Sequence, residues 1–247
     1  MPTAYADDLA YIHDTGFGEF ARQSAGGLLE IFQQKGIHSG RVVDLGCGSG
    51  IWARELVDAG YEVTGIDISP AMIALSRKRV RQGDFRVGSC LTHRLPRCSA
   101  VTALGEVLNY RFDSRAGLDA LRRLFGRVHT ALLPGGLFIF DIAEPGRNRT
   151  SGQRFWETDE WTILVDYEYD RPTQQLSRHI VTFRKTGKSY RRHAETHKLQ
   201  LYRRGEIAAA LREAGFSVNS VRQYGEFRFP EGWIGFVARK RGALPNA

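Results

Sequence analysis

Cysteine is scarce in this chain, with three in 247 residues, at positions 47, 90 and 98. An odd number cannot all pair within one chain. None sits in a C-x-x-C pair or beside a histidine at metal-ligand spacing, so a disulfide scaffold and a zinc site are both excluded as readings. Free thiols in a reducing cytoplasm are the expectation. Long apolar runs are missing too: nowhere do about 18 apolar residues follow one another, and the start of the chain, with Asp7 and Asp8, lacks the basic-then-apolar pattern of an export signal. Neither a membrane span nor secretion is implied. Acidic residues are outnumbered, 27 against 35 basic ones, for a net charge of +8. That balance favours an anionic partner, either nucleic acid or a phosphorylated or carboxylated small molecule. Much of the excess lies in residues 77–81, which read as a helix end where cations suit the dipole, and in residues 184–198, where six Lys or Arg face the lone Glu195.

What is present reads as a globular chain, 42% apolar and 25% charged, long enough to bury a large core without staples. From residue 41 to about 142, short β-rich runs alternate with helical stretches, the pattern of a parallel sheet covered on both faces. Strands are expected at 41–45, 62–66, 85–87, 100–104 and 137–142. Helices are expected at 51–59, at 70–78 behind an N-cap Ser69 and a first-turn Pro70, and at 116–133, stopped by Pro134-Gly135-Gly136. After Pro145-Gly146 the rhythm changes. Three extended runs, 161–169, 176–184 and 190–202, leave no room for crossover helices and predict an antiparallel insertion. A helix at 204–214 ends at Gly215, and 216–222 with 233–239 form a final antiparallel pair. Ahead of the sheet, 4–36 reads as helices interrupted at Gly16-Phe17-Gly18.

The strongest motif is Val42-Val43-Asp44-Leu45-Gly46-Cys47-Gly48-Ser49-Gly50, an apolar strand that enters a glycine turn and opens a helix. Glycines there remove the Cβ atoms that would hold a ligand off the backbone. A dinucleotide fingerprint places its third glycine three positions after the second, which here is Ile51, whereas this chain has Gly50 two positions after. Asp44 stands two residues before the first glycine, where a carboxylate repels a pyrophosphate and suits the ammonium of a bound amino acid. Asp67 ends the second strand, where an acid can accept both hydroxyls of a ribose. The ligand should therefore carry a ribose and an ammonium but no diphosphate, and S-adenosylmethionine has that composition.

These residues, together with Val63-Thr64-Gly65-Ile66-Asp67-Ile68-Ser69-Pro70-Ala71-Met72 and Leu132-Leu133-Pro134-Gly135-Gly136, resemble the class I S-adenosylmethionine-dependent methyltransferases over roughly 40–145 and 204–239. The resemblance implies an α/β fold, Rossmann-like and doubly wound: a mostly parallel seven-stranded sheet with an antiparallel final strand and a β-rich insertion capping the active site. One unit over 1–247 is expected, comprising a helical lid (1–38), a cofactor-binding half (39–145), a three-stranded insertion over the substrate (146–203) and a C-terminal helix with the last two strands (204–247). It further implies that Gly46, Cys47, Gly48 and the loop backbone flank the methionine part of the cofactor, with Asp44 organising it. Asp67 would hold the ribose hydroxyls and Ile68 would pack on the adenine. Relatives usually offer an aspartate to the adenine amino group after the third strand; Ser89 and Cys90 stand there instead, so a hydroxyl or backbone contact replaces it. Leu104, Gly105 and Glu106 should lie by the methionine end. Tyr11 and Phe17 belong to the segment that closes over the cofactor in many relatives, with Phe17 either a hinge or a core contact.

Transfer from a sulfonium is an in-line displacement, so the protein must align an acceptor lone pair and exclude water; a base helps where the acceptor has a proton to lose. Glu195 and His197 share a strand face at period two, either as a proton-handling pair or as an ion pair on an exposed strand. His13, next to Asp14, and Tyr110 are further candidates for catalysis, whereas His38, His93, His129, His179 and His193 read as surface residues. Insertions of this kind often accompany small-molecule acceptors in relatives, which points to oxygen or nitrogen methylation of a small molecule, an anionic one suiting the net charge. A nucleic-acid methyltransferase and a non-catalytic S-adenosylmethionine-binding regulatory module are the rival readings. Nucleic acid is disfavoured because Glu106-Val107-Leu108-Asn109-Tyr110 stands where base-amine methyltransferases carry an Asn-Pro-Pro-Tyr type of motif. No metal is expected, and the chain is expected to act as a monomer or homodimer in the cytoplasm.

Overall fold

Alternate side chains of the central strands feed two different helical layers, and that alternation sets the architecture. The computed structural model describes residues 4–147 and 152–241. The order is α1 (Asp7–Gly16), α2 (Glu19–Gln34), β1 (Arg41–Leu45), α3 (Ile51–Asp58), β2 (Glu62–Asp67), α4 (Pro70–Arg79), β3 (Asp84–Val87), β4 (Cys98–Ala103), a 3-10 turn (Val107–Asn109), α5 (Leu118–Ala131) and β5 (Leu132–Ala143). The insertion follows as β6 (Gly152–Glu157), β7 (Trp161–Asp170), β8 (Gln175–Thr186) and β9 (Ser189–Gln200). The chain then returns through α6 (Arg204–Glu213), β10 (Phe216–Val221), the short β11 (Gln223–Tyr224) and β12 (Phe227–Arg228), and β13 (Trp233–Lys240).

The seven-stranded sheet runs β3-β2-β1-β4-β5-β13-β10, as expected from the alternating pattern. β1 to β5 are parallel to one another, while β13 is antiparallel to both β5 and β10. Val43, Leu45, Val101, Phe138 and Phe140 face α5 and α6 and pack on Leu121, Phe125, Ile207 and Leu211. Val42, Ala100, Leu137 and Ile139 face the other way, onto Leu28, Phe32, Trp52 and Leu56 of α2 and α3. Both faces are thus dry, which is why these strands read as near-continuous apolar runs. Strand order reverses at β1, flanked by β2 on one side and β4 on the other, and ligands of open α/β sheets bind outside the carboxyl ends of the strands at such a point.

The insertion is a four-stranded antiparallel sheet, β6-β7-β8-β9, not the three strands expected. The overlooked strand, β6, pairs with β7 in the register Phe155↔Leu164, yet all six of its residues are exposed, so it carries no apolar alternation to betray it. A second correction concerns β5. The expected helix through residue 133 ends at Ala131, and Leu132, buried and paired with Cys98, already belongs to the strand; Pro134-Gly135-Gly136 therefore lies inside the span of β5 rather than in a loop ahead of it. Asn109 ties the two sheets together, since its Nδ2 donates to the carbonyls of Ala143 (2.9 Å) and Gln200 (2.7 Å) and its Oδ1 accepts from Ala143 N (2.9 Å). The expected unit boundaries at 1 and 247 lie outside the described residues.

Candidate active site

One cavity of about 380 Å³ opens at the carboxyl ends of β1, β2 and β4 and continues under the inner face of the insertion. Its floor is the turn after β1. Gly46, Gly48 and Gly50 have φ of 66°, 53° and 78°, left-handed values that a side chain rarely tolerates. A Cβ at Gly46 would come within 2.6 Å of Val107, whereas one at Gly48 would meet no protein atom within 4 Å, so the missing side chain there keeps space open beside the backbone.

The amide hydrogens of this turn are mostly consumed by the protein. Gly46 N and Cys47 N donate to the carbonyl of Ile66 (2.7 and 3.1 Å), Gly50 N to the carbonyl of Cys47 (3.0 Å), and Gly48 N to Asp67 Oδ2 (2.9 Å). A diphosphate would need those donors free. Asp67 Oδ1 accepts from Ser69 N (2.8 Å), which fixes the carboxylate between the glycine turn and the start of α4; burial raises its pKa, and the amides of Ser69, Gly48 and Ile68 oppose that rise. Asp44, buried at the end of β1, accepts from Thr102 Oγ1 (2.7 Å), itself held by Trp52 Nε1 (3.2 Å), and burial pushes its pKa to about 7. The cavity floor therefore presents two acids with spare lone pairs and few donors. That pair of acceptors fits an ammonium and a pair of ribose hydroxyls.

Farther along the wall, Leu104, Gly105 and Glu106 follow β4 as expected. Glu106 sits at φ 60°, and the bend is held from behind by Asp141, which accepts from Gly105 N (2.9 Å), Glu106 N (2.6 Å) and Trp233 Nε1 (2.6 Å). The Glu106 carboxylate is already engaged: Arg147 Nε donates to one oxygen (2.6 Å) and Arg178 Nη2 to the other (2.5 Å). Burial alone would raise its pKa, but Arg178 and Arg147 outweigh burial and hold it below the usual carboxylate range. Ser89 and Cys90 also line the cavity, as does Asp113, whose carboxyl Arg115 draws down to about 2.

The opposite end is built by α1 and by the insertion. Leu9, His13 and Phe17 recur every fourth residue and so present one helical face to the cavity. Tyr11, expected at the cofactor, is not on the wall; it lies about half a turn away from that face, with the Arg184 guanidinium 3.7 Å above its ring. The ring of His13 makes no hydrogen bond to a described residue, and burial drives its pKa down to about 4, so it is a neutral imidazole with both ring nitrogens unclaimed among the described residues. Tyr110 lines the wall with its hydroxyl 3.1 Å from that of Tyr5 and 3.0 Å from Arg178 Nη1.

The placement of Glu195 and His197 is a correction. They do share a face, but they are buried (8% and 1% exposed), which removes the exposed ion-pair reading, and they do not reach the cavity. The rings of Tyr5, Tyr110 and Phe112 pack around His197, with centroids 4.7, 5.9 and 4.8 Å away. Glu195 instead accepts from Tyr5 N (2.9 Å), Ala6 N (2.7 Å) and His197 Nε2 (2.9 Å). Tyr5 is thereby fixed at φ 48°, and its carbonyl accepts from Ser69 Oγ (2.8 Å). His193 stands 3.7 Å from the same carboxylate.

Several wall residues were not anticipated: Tyr5, Phe112, Arg178 and Trp233. Only Arg178 carried a signal, because it has the same strand parity as the buried Leu176 and the inward Ile180. Among the described residues no cluster of side chains could hold a metal ion, and none of the three cysteines is paired. No helix among them is long and apolar enough to cross a membrane.

The profile of a methyltransferase domain family matches residues 17–221 of the chain. A dTDP-3-amino-3,6-dideoxy-alpha-D-glucopyranose N,N-dimethyltransferase of Streptomyces fradiae is 26% identical over 226 residues, covering 87% of this chain and 86% of that protein. The crystal structure of an S-adenosylmethionine-dependent methyltransferase from Clostridium acetobutylicum superimposes with a TM-score of 0.82 at 18% identity, covering 94% of this chain and 98% of the other. A sugar N-methyltransferase from a Streptoalloteichus species gives 0.79 at 18% identity, with 98% and 96% covered.

Proposed function

Because the chain belongs to the methyltransferase domain family and is an S-adenosylmethionine-dependent methyltransferase, we propose that it methylates an oxygen or nitrogen of a small molecule bound between His13, Tyr110 and the inner face of the insertion. S-adenosylmethionine, when bound, supplies a methyl group on a sulfonium, made electrophilic by the positive sulfur. Asp44 takes the ammonium of the amino-acid part, Asp67 the ribose hydroxyls, and Ile68 the flank of the adenine. Leu104 and Gly105 line the methionine end. α1 and the insertion enclose the acceptor and keep water from the reacting atoms, which preserves the alignment on which an in-line displacement depends.

His13 is the group fitted to receive a proton from the acceptor. It is neutral at physiological pH, its ring has no hydrogen-bond partner among the described residues, and it lies on the cavity wall, whereas Glu195 and His197 bond one another and lie off that wall. Tyr110, oriented by Arg178 Nη1 and Tyr5, positions the acceptor.

One observation carries the reading: the cavity runs without interruption from the two acids of the glycine turn to a roof made by the insertion. The Streptomyces fradiae relative, named for methylating an amino sugar, agrees with an acceptor of that size. A nucleic-acid acceptor is less well supported, because two cations of the basic segment, Arg184 and Arg191, are taken up by Asp8 (3.2 and 2.5 Å). The test is transfer of radiolabelled methyl from S-adenosylmethionine to a panel of small amines, sugars and phenols, with duplex DNA and total RNA in parallel. Label in a low-molecular-weight product is expected, and label confined to polynucleotide would reject the proposal.

A further inference from the structure

Among the described residues Arg178 is the one Lys or Arg on the cavity wall, and the protein leaves it only partly satisfied. It lies on β8 opposite Tyr167 of β7 and His197 of β9, with its side chain 14% exposed. A guanidinium has five N–H donors. Nη1 donates to Tyr110 and Nη2 to Glu106, while Nε has no hydrogen-bond partner among the described residues.

The local charge does not close either. Glu106 is shared between Arg178 and Arg147, so one carboxylate answers two guanidiniums. Other acids nearby are committed elsewhere. Asp141 spends its oxygens on the Gly105–Glu106 bend and Trp233, Glu195 on Tyr5 N, Ala6 N and His197, and Asp113 on Arg115. Tyr5, Tyr110 and Tyr167 make up the wall around it. A guanidinium that has only a shared carboxylate as its counter-charge, in a largely apolar cavity, gains from a further counter-charge brought by the ligand.

We propose that Arg178 seats an oxyanion of the acceptor, a carboxylate or a phosphate, so that the substrate class is an anionic small molecule. This rests on the reading of the cavity as a methyl-transfer site. Held at one end on Arg178, such an acceptor would have its nucleophilic nitrogen or oxygen fixed in the space beside His13. Arg178 is then a determinant of specificity rather than of the transfer itself.

Calorimetry on the full chain saturated with S-adenosylhomocysteine tests it with two matched pairs of probes, 3-aminobenzoate against aniline and thymidine diphosphate against thymidine. A charged probe is expected to bind about tenfold or more tightly than its neutral partner, in line with a charge-assisted hydrogen bond, and the pair that responds identifies carboxylate or phosphate as the source. In Arg178→Gln that preference should fall to within about twofold with the affinity for S-adenosylhomocysteine unchanged, while Arg178→Lys should retain part of it and serve as the variant of record if the glutamine form does not fold. No preference in either pair, or a preference that survives Arg178→Gln, overturns the proposal. So does a loss of S-adenosylhomocysteine binding in the variants with the probe preference intact, which would assign the guanidinium to the cofactor's own carboxylate. Failure of the unmodified chain to bind S-adenosylhomocysteine would instead defeat the methyl-transfer reading on which the proposal stands.

Discussion

Asp44 is buried and His13 half-buried against the cavity, and the loss of water around them moves them in opposite directions, up to about 7 for the acid and down to about 4 for the base. Each leads to a measurable pH dependence. If Asp44 meets an ammonium, binding favours its ionised form, so a proton leaves when S-adenosylhomocysteine binds near neutrality. Affinity should then rise about tenfold between pH 6 and pH 8 and level off above, because the free protein is mostly protonated at Asp44 below 7 and mostly ionised above it. Calorimetry in buffers of differing ionisation enthalpy counts the proton directly, and Asp44→Asn should abolish both effects. For His13, substitution by alanine should lower turnover by about 100-fold or more on an acceptor that must lose a proton, with cofactor affinity little changed. The acid limb of the rate profile should fall near pH 4 and not near the 6.5 of a free imidazole; full activity of the variant would dismiss His13 as the base. That Asp44 and Asp67 would stand together at the glycine turn was readable from their distance to the glycines. His197 was misread because period two tells which strand face a side chain occupies, but not that three aromatic rings stand between that face and the cavity.

Among the elements, the N-terminal segment depends most visibly on one side chain. Glu195 of β9 caps the amides of Tyr5 and Ala6, directly ahead of α1, and a glutamine there can offer only one carbonyl oxygen to the same donors. Glu195→Gln should speed amide exchange through residues 5–12 by about tenfold or more, equivalent to about 1–3 kcal/mol of local opening, while β1, β4 and β5 stay protected. Uniformly faster exchange across the sheet would mean that Glu195 supports the whole fold instead. The central parallel strands β1, β4 and β5 were legible because both of their faces are buried and their apolar runs are nearly continuous. β6 was not, since an exposed edge strand has no inward set to count, and the start of β5 was hidden by a leucine pair that suits a helix end as well as a strand.

At the level of the whole molecule, the cavity is assembled from parts far apart in the sequence, and Tyr5 is where they meet. Its carbonyl is held by Ser69, just past Asp67, and its amide by Glu195 in the roof. If a nucleoside enters past Tyr5, its displacement also frees a corner of the roof, which an acceptor already in place would need intact. The expected outcome is a queue: the sulfonium compound enters first, its demethylated remnant departs last. In steady-state assays that remnant should compete with S-adenosylmethionine yet inhibit noncompetitively against the acceptor, and the reverse pattern would show that Tyr5 imposes no such order.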